Sequence, residues 1–368
     1  MSTTITTKQL ASSNLSVPPD TYIYSLARTA TFCAAISSDD SLRVFDPSSL
    51  ALLHTKTKAH DGLTCLRANT QGRGWVTAGR DGAVRCWDER ASSAGAVMND
   101  PRGSGLTALA CRENLIAAGT ENLKEGLGNV SILLWDMRNT GTPLRQYTES
   151  HNDTITQLAF HPTRPQTLLS AATDGLVSIF DTTIADEDDA LVQVLNHKAA
   201  VHCAGFLSDD QVYAISSDEQ LSVYTLSKPT DPEDATLPIT AFGDVRERLG
   251  CSYVIDVYPS SPAWIAAGDT GTSRLTMIPL RPSWSFDVGE VMDFSGAHGD
   301  EIVRDILIDT TSQCILTCGE DGHVRLWAQE GGSQAAEAGA MEVDDGEGSK
   351  KQRRKDKKQK KKDRFNPY

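Results

Sequence analysis

The chain has 368 residues and a net charge of −14, with 23% charged and 6% aromatic residues, which suits one large globular domain. No apolar run reaches the roughly 20 residues of a membrane-spanning helix, and residues 1–13 are too polar for a secretory signal, so we expect neither. The eight cysteines are scattered without a C-x-x-C pair, which favours free thiols in a reducing compartment over disulfides or a zinc site.

In chain order, the first predicted element is a strand over residues 3–10, followed by repeated units that alternate polar and apolar residues. Each unit contains a tight turn, rich in Asp and Gly because these residues tolerate positive φ, and then a strand that ends in a bulky side chain. The closing aromatic side chains are Phe45, Trp87, Trp135, Phe180, Tyr224 and Trp327. The first five lie 42 to 48 residues apart, and the last interval spans two periods.

That long interval holds one more unit, in which Ile278 takes the aromatic place. Seven units result, over about residues 21–56, 60–98, 105–147, 151–195, 197–239, 249–295 and 298–327. The third carries an insertion over residues 121–128, and the sixth is the least regular. One such unit cannot bury both of its faces, so neighbouring units are expected to pack against each other.

These repeats resemble the WD-repeat β-propeller family, which has a Gly-His…Trp-Asp pattern and a period of about 40–45 residues. The resemblance covers about residues 20–328, and the stretches E-S-H-N-D-T-I-T, D-E-D-D-A-L-V and T-C-G-E-D-G-H-V-R-L-W further resemble one family within it, WD repeat-containing protein 89. It implies an all-β, seven-bladed WD-repeat β-propeller over residues 1–328, with four-stranded blades. It also implies that the N-terminal strand closes the ring as the outer strand of blade seven.

Four histidines precede the first strand of a unit at multiples of the repeat: His60, His151, His197 and His298. In the family, such a His joins a Ser or Thr, the hairpin Asp and the closing Trp in a hydrogen-bonded structural network. The resemblance implies the sets His60, Thr77, Asp81 and Trp87; His151, Ser170 and Asp174; and His298, Thr317, Asp321 and Trp327. Phe180 replaces the Trp in blade four. A His, Asp and hydroxyl could also form a hydrolase triad, but recurrence at the blade period favours a structural function.

Residues 268–273 are Gly-rich but lack the Lys of a phosphate-binding loop, and no H-E-x-x-H, G-x-S-x-G or paired-carboxylate motif occurs. We therefore expect no catalytic, metal or cofactor site, and a function in binding proteins. By the family's topology, one face, here called the top face, is formed by the loops that lead into first strands and by the second-to-third hairpins. Its candidate partner-binding residues are Arg80, Thr173, His202, Glu301 and Glu320, together with residues 121–128 and 244–248.

The opposite, bottom face is expected to carry two acidic third-to-fourth connections in neighbouring blades. One contains Asp186, Glu187, Asp188 and Asp189, and the other contains Asp231, Glu233 and Asp234. Outside the basic tail the chain carries about −23, a field that suits a basic client such as a histone or ribosomal protein. A pair of solubilising loops is the alternative.

Two sequence motifs expected on the bottom face indicate a second kind of partner. Trp87–Arg90 and Trp135–Arg138 both have the pattern W-D-x-R. This resembles the motif of propellers that act as substrate receptors of cullin-4 ubiquitin ligases, in which Arg90 and Arg138 would contact the ligase adaptor.

The C-terminal region changes composition twice. Residues 329–349 form an acidic Gly/Ala-rich linker, and residues 350–368 form a basic tail; both are expected to be disordered because they offer little apolar surface to bury. The tail's cations include Lys350, Lys351, Arg353, Arg354, Lys355, Lys357, Lys358, Lys360, Lys361 and Lys362. The run predicts targeting to the nucleus or nucleolus; contact with nucleic-acid phosphates and a merely solvated tail are the alternatives, and cytoplasm is the alternative location. The sequence thus predicts a non-enzymatic nuclear scaffold or adaptor for clients of ribosome assembly or chromatin.

Overall fold

The computed structural model describes residues 3–69, 74–89, 94–123, 128–226, 238–282 and 284–330. Regular structure in these ranges is almost entirely β-strand, with two short helices, α1 (Glu187–Ala190) and α2 (Arg246–Leu249). No helix in the described ranges is long and apolar enough to cross a membrane. The eight cysteines are all free thiols.

Five blades are separate four-stranded antiparallel sheets whose strands follow chain order from the innermost to the outermost. Blades one and two consist of β2 (Ile23–Arg28), β3 (Cys33–Ser37), β4 (Ser41–Phe45) and β5 (Leu52–Lys56), then β6 (Leu63–Ala68), β7 (Gly74–Gly79), β8 (Ala83–Asp88) and β9 (Ala94–Asn99). Blade three consists of β10 (Leu106–Arg112), β11 (Leu115–Thr120), β12 (Ile132–Asp136) and β13 (Arg145–Tyr147).

Blades four and five continue the pattern. They consist of β14 (Ile155–Phe160), β15 (Thr167–Ala172), β16 (Leu176–Asp181) and β17 (Leu191–Asn196), then β18 (Val201–Ser208), β19 (Gln211–Ser216), β20 (Gln220–Thr225) and β21 (Pro238–Asp244). The predicted all-β propeller fold is therefore confirmed over the described residues.

Blades six and seven share one sheet because the N-terminal strand, β1 (Thr3–Ser13), joins them. Blade six consists of β22 (Tyr253–Tyr258), β23 (Ala263–Asp269), β24 (Arg274–Arg281) and β26 (Glu290–Ser295), with β25 (Ser285–Phe286) paired to β24; blade seven contains β27 (Val303–Asp309), β28 (Cys314–Gly319) and β29 (Val324–Gln329). Residues 7–13 pair antiparallel with β29, as the predicted ring closure requires. Residues 3–6 continue in parallel along β26 of blade six, which was not predicted.

Apolar clusters fill the spaces between neighbouring blades, and each closing side chain packs toward the preceding blade. Trp87 packs with Leu42 and Val44 of blade one. Trp327 lies edge-on to Phe294 of blade six, with ring centroids 5.5 Å apart. Ile278 shares a cluster with Tyr213 of blade five, so it occupies the same position as the aromatic residues elsewhere. Because each blade covers its neighbour's apolar face, the ring buries what a single blade cannot.

Candidate functional site

In blade seven, four predicted network side chains are in direct contact. His298 contacts Asp321 through Nδ1 at 2.7 Å and Thr317 Oγ1 through Nε2 at 2.7 Å, and Trp327 Nε1 donates to the same Oγ1 at 3.0 Å. Arg325 adds an ion pair to Asp321 at 2.6 Å. The Asp321 carboxylate can only accept, so the neutral His298 ring donates through Nδ1–H to Asp321. Nε2 then carries no proton and accepts from the Thr317 hydroxyl.

Blade two repeats this arrangement. His60 contacts Asp81 at 2.9 Å and Thr77 at 2.7 Å, and Trp87 donates to Thr77 at 2.8 Å. Arg85 pairs with Asp81 at 2.7 Å, as Arg325 pairs with Asp321 in blade seven. The two blades thus carry the same five-residue network.

Blade four has the shorter set, as predicted from Phe180. His151 contacts Asp174 at 3.1 Å and Ser170 at 2.7 Å, and no indole donates to that serine. His197 in blade five departs from the pattern, since its ring nitrogens contact the Tyr224 hydroxyl and the Gln220 carbonyl. The hydrogen bonds that each His makes therefore depend on which residues its own blade provides.

The ionisation of these groups supports a structural function. Burial lowers the pKa of His298 and of His60, which keeps both rings neutral and able to donate through one nitrogen only. Burial raises the pKa of Asp321, but hydrogen bonds from His298 and Arg325 outweigh it and hold that pKa at about 2. The Thr77 and Thr317 hydroxyls are fully buried and each accepts from an indole, so neither is accessible to a substrate.

A second repeated feature surrounds the mouth of the ring on the top face. Every inner strand has a β-bulge near its start, and the bulged residues are Tyr24, Thr64, Thr107, Thr156, His202, Ile255 and Arg304. The first four donate a side-chain hydroxyl to a backbone carbonyl of the next blade: Tyr24 to Leu63, Thr64 to Leu106 at 2.6 Å, Thr107 to Ile155 at 2.7 Å, and Thr156 to Val201 at 2.8 Å. These bonds link blades one to five.

The series ends at His202, so blades five to seven present different chemistry at the mouth. His202 is exposed, and no hydrogen bond to it is present among the described residues. Although solvent reaches His202, the surrounding protein partly desolvates the ring, and this desolvation and the nearby Arg304 lower its pKa. Arg304 pairs with Glu320, with Nε and Oε1 3.0 Å apart, and Glu301 is exposed beside them.

The remaining predicted top-face residues lie elsewhere on the ring. Arg80 is exposed and pairs with Glu121 at 3.3 Å, and Thr173 is half-buried, donating to the Thr154 carbonyl at 3.4 Å. Arg246, in the predicted segment 244–248, is held by Asp244 at 2.6 Å. Residues 124–127 of the insertion lie outside the described ranges. The structure thus groups His202, Glu301 and Glu320 near one side of the mouth, and separates Arg80 and Thr173 from them.

The acidic segment of blade four corrects a prediction. Glu187 accepts from the backbone of Glu149 at 2.9 Å and Ser150 at 2.8 Å, and from the Ser150 hydroxyl at 2.6 Å. Residues 148–150 lead into blade four from blade three, so Glu187 is bound to a neighbouring segment and is not, as predicted, a candidate for binding a partner on the bottom face. Asp186 caps α1 by accepting from the backbone of Asp188 and Asp189, which are themselves exposed.

Replacing Glu187 with Gln is expected to destabilise the propeller, because its two oxygens satisfy several backbone donors and an amide nitrogen cannot accept. We expect a loss of about 1–3 kcal/mol in the free energy of unfolding, measured by chemical denaturation. The matched change Asp188→Asn removes the same charge from an exposed position and should alter stability by less than about 0.5 kcal/mol. Equal effects of the two changes would contradict the assignment of Glu187 as an anchor.

The W-D-x-R arginines and the other charged segments are only partly described. Arg138 has a side chain 73% exposed and is held by Asp136 of its own motif, with Nε and Oδ1 2.9 Å apart. That contact lowers the pKa of Asp136 to about 2. Arg90, the acidic residues 231–234, the linker beyond residue 330 and the basic tail lie outside the described ranges. The predicted start of the linker at residue 329 is wrong, because Gln329 is the last residue of β29 and pairs with Thr7.

Sequence reasoning missed two acidic residues on the inner strands. Asp256 accepts from the Tyr213 hydroxyl at 2.7 Å, and Asp305 accepts from the Leu26 backbone at 2.7 Å, so each spans two blades. Burial raises the pKa of both, that of Asp305 to about 6. The sequence feature that could have indicated them is an Asp directly after the bulged residue, a position where blades one to five have Ser, Cys, Ala, Gln and Cys.

The fold and its networks define a WD-repeat β-propeller. The family model for the WD domain, G-beta repeat, matches residues 51–88, 141–181 and 290–328. Each match begins at or just before the outer strand of one blade and ends near the close of the third strand of the next. The three matched repeats contain the three His–Ser/Thr–Asp networks.

Related curated proteins support the assignment to this family. The chain is 31% identical over 312 residues to an uncharacterised WD repeat-containing protein of Schizosaccharomyces pombe, covering 82% of this chain and 93% of the relative. It is 36% identical over 253 residues to an uncharacterised WD repeat-containing protein of Saccharomyces cerevisiae, covering 68% of this chain and 63% of that relative. A WD repeat-containing protein 89 homologue of Dictyostelium discoideum is 22% identical over 326 residues, covering 85% and 84%. The chain belongs to the WD repeat-containing proteins, which are typically non-enzymatic interaction scaffolds.

Proposed function

We propose that the protein is a non-enzymatic scaffold whose top face binds a basic protein client at the mouth of the ring, on the side formed by blades five to seven. The observation that carries the proposal is the end of the hydroxyl-to-carbonyl series at His202. On blades one to four the bulged side chains stabilise the ring itself. On blades five to seven His202 and Glu301 are exposed, and among the described residues neither makes a side-chain contact that the fold needs.

Charge favours a basic client over an acidic one. Arg304 is already paired with Glu320 and Arg246 with Asp244, and Arg248 lies over the rings of Phe242 and Phe286. Asp218, Glu247 and Glu301 are exposed carboxylates around them. The excess of negative charge would attract Lys and Arg side chains and would do so less at high salt.

Reversing the charge of Glu301 with Lys is expected to reduce recovery of basic clients about fivefold, which corresponds to about 1 kcal/mol of binding free energy. The measurement is affinity purification of the full chain from cells, read by quantitative mass spectrometry. Asp210→Lys makes the same charge change on the exposed β18–β19 turn of the bottom face and should leave recovery unchanged. Asp188→Lys tests the acidic segment of blade four in the same way.

The outcomes separate the alternatives. Clients lost only from Glu301→Lys support the top face, and clients lost only from Asp188→Lys support the acidic segment. Unchanged basic clients in every variant, or no basic clients at all, would overturn the proposal. Recovery of a cullin-4 adaptor that Arg138→Ala abolishes would instead favour a ligase receptor, an alternative suggested by the exposure of Arg138.

We also propose that the protein acts in the nucleus, including the nucleolus, because of the basic run at residues 350–364. Imaging of the chain with and without these residues tests the location. Nuclease-sensitive, salt-sensitive binding that depends on the same residues would favour nucleic-acid contact.

A further inference from the structure

At four seams between blades, a large apolar residue of one outer strand is buried against the closing side chain of the next blade. Its position is fixed, because it pairs with the third-strand residue that lies three places before the closing side chain. The residues in this position are Met98, Tyr147, Leu195 and Phe294, in blades two, three, four and six. Tyr147, for example, stacks on Phe180 with ring centroids 4.9 Å apart. An apolar cover over the closing side chain is therefore the common arrangement in this propeller.

Blade one has a lysine in the same position. Lys56 pairs with Leu42, and its ammonium nitrogen lies 6.0 Å from the centroid of the Trp87 ring, the closing side chain of blade two. Trp87 is 6% exposed, whereas the other six closing side chains are 0–2% exposed. The exchange of an apolar residue for Lys56 therefore leaves the outer side of Trp87 incompletely covered.

A cleft of about 610 Å³ opens at this place, between the outer parts of blades one and two. It is lined by the hairpin of blade one, by residues 58–61 leading into blade two, and by Lys56, Trp87 and Ala94. Sites for small ligands and for peptide side chains typically have volumes of about 300–1,000 Å³. The cleft is thus large enough to receive a side chain together with the backbone on either side of it.

Four carboxylates line the cleft, but three of them are already bound within the fold. Asp39 and Asp81 each pair with an arginine of their own blade at 2.7 Å, and Asp40 accepts from the backbone of blade two at 2.7 Å. Asp61 is exposed, and it is the one lining carboxylate whose side chain has no partner among the described residues. Most of the negative charge of the cleft is therefore neutralised by the protein itself.

The cations of the cleft are less well neutralised. Lys56 contacts the Trp87 ring, Lys58 is exposed, and neither has a carboxylate partner among the described residues. The described part of the chain has four lysines in all, so two of the four line one cleft, although the chain outside the basic tail carries about −23. An anionic ligand suits this arrangement, whereas a cationic one is disfavoured because Lys56 already occupies the ring face.

We propose that this cleft binds an acidic segment of a partner protein, which places one apolar side chain against Trp87 and its carboxylates beside Lys56 and Lys58. The apolar side chain takes the position that Met98 or Tyr147 has at other seams. The lysines then recognise the acidic residues that flank it. This site lies apart from the mouth of the ring, and the inference does not depend on the basic client proposed above.

Selection of phage-displayed random dodecapeptides on the immobilised full chain supplies the probe. We expect peptides with one Trp, Phe, Leu or Met flanked by Asp or Glu. Binding of a selected acidic peptide, measured by fluorescence anisotropy, should weaken at least about tenfold in Lys56→Met and in Lys58→Glu. Lys56→Met supplies the side chain that blade two has in this position, so it should fill the cleft and keep the fold. Lys198→Glu reverses the charge of an exposed lysine between blades four and five and should leave binding unchanged.

A footprint on the wild-type chain decides the matter even if a variant does not fold. With the peptide at about four times its Kd, acetylation of Lys56 and Lys58 should slow about fivefold, as read by mass spectrometry. Lys8 and Lys198, which are exposed elsewhere on the ring, should react at an unchanged rate. Selection of basic peptides only or of none, equal protection of all four lysines, or undiminished binding by Lys56→Met would overturn the inference.

Discussion

Deleting residues 1–13 should lower the melting temperature by more than about 10 °C, because it removes the strand that closes the ring. Six residue pairs with β29 and four with β26 would be lost. At about 1 kcal/mol for each net backbone hydrogen bond, the loss is about 10 kcal/mol, and each kcal/mol lowers the melting temperature of a large domain by about 2–4 °C. The bare edge of β29 should also promote association, which light scattering during the melt would show.

Deleting only residues 1–6 provides the matched control. Within this segment, residues 3–6 pair in parallel with β26, which already has β24 on its other side. Only these four residue pairs are lost and blade seven keeps its outer strand, so by the same estimate the melting temperature should fall less than half as far, by roughly 8–16 °C. A similar fall in the two deletions would mean that closure depends on the parallel segment, against the assignment of residues 7–13 as the closing strand.

Only one of the two pairings of β1 could be predicted from the sequence, and the reason is physical. Closure by residues 7–13 could be predicted because the family resemblance calls for a fourth strand in blade seven and the chain after Trp327 turns polar. No sequence feature indicates the pairing of residues 3–6 with β26, because a Thr-rich strand is compatible with either neighbouring strand. Register between strands so distant along the chain depends on the finished ring.

The same distinction applies to the candidate site. The networks around His60 and His298 could be predicted because four residue types recur at fixed spacings within one unit. Glu187 looked like one of four equivalent acids, since its donors at residues 148–150 belong to the preceding blade. Contacts within a repeat can be read from sequence, whereas contacts across a seam need the assembled propeller.

Replacing Thr317 with Val should cost about 2–5 kcal/mol of unfolding free energy, although the two side chains have nearly the same shape. The hydroxyl is fully buried and makes two bonds, accepting from Trp327 and donating to His298. Val leaves both partners buried without a bond, at about 1–3 kcal/mol each. Chemical denaturation followed by tryptophan fluorescence measures the loss, and Thr77→Val in blade two should reproduce it because the same two bonds are present.

Blade four supplies a natural comparison for this prediction. Ser170 is also fully buried and bonds His151, but Phe180 stands where blades two and seven have Trp. Ser170→Ala therefore leaves one partner without a bond and should cost about 1–3 kcal/mol, roughly half the loss in the other two blades. A loss at Ser170 equal to that at Thr317 would show that the indole bond contributes little, and that His and Asp alone stabilise these blades.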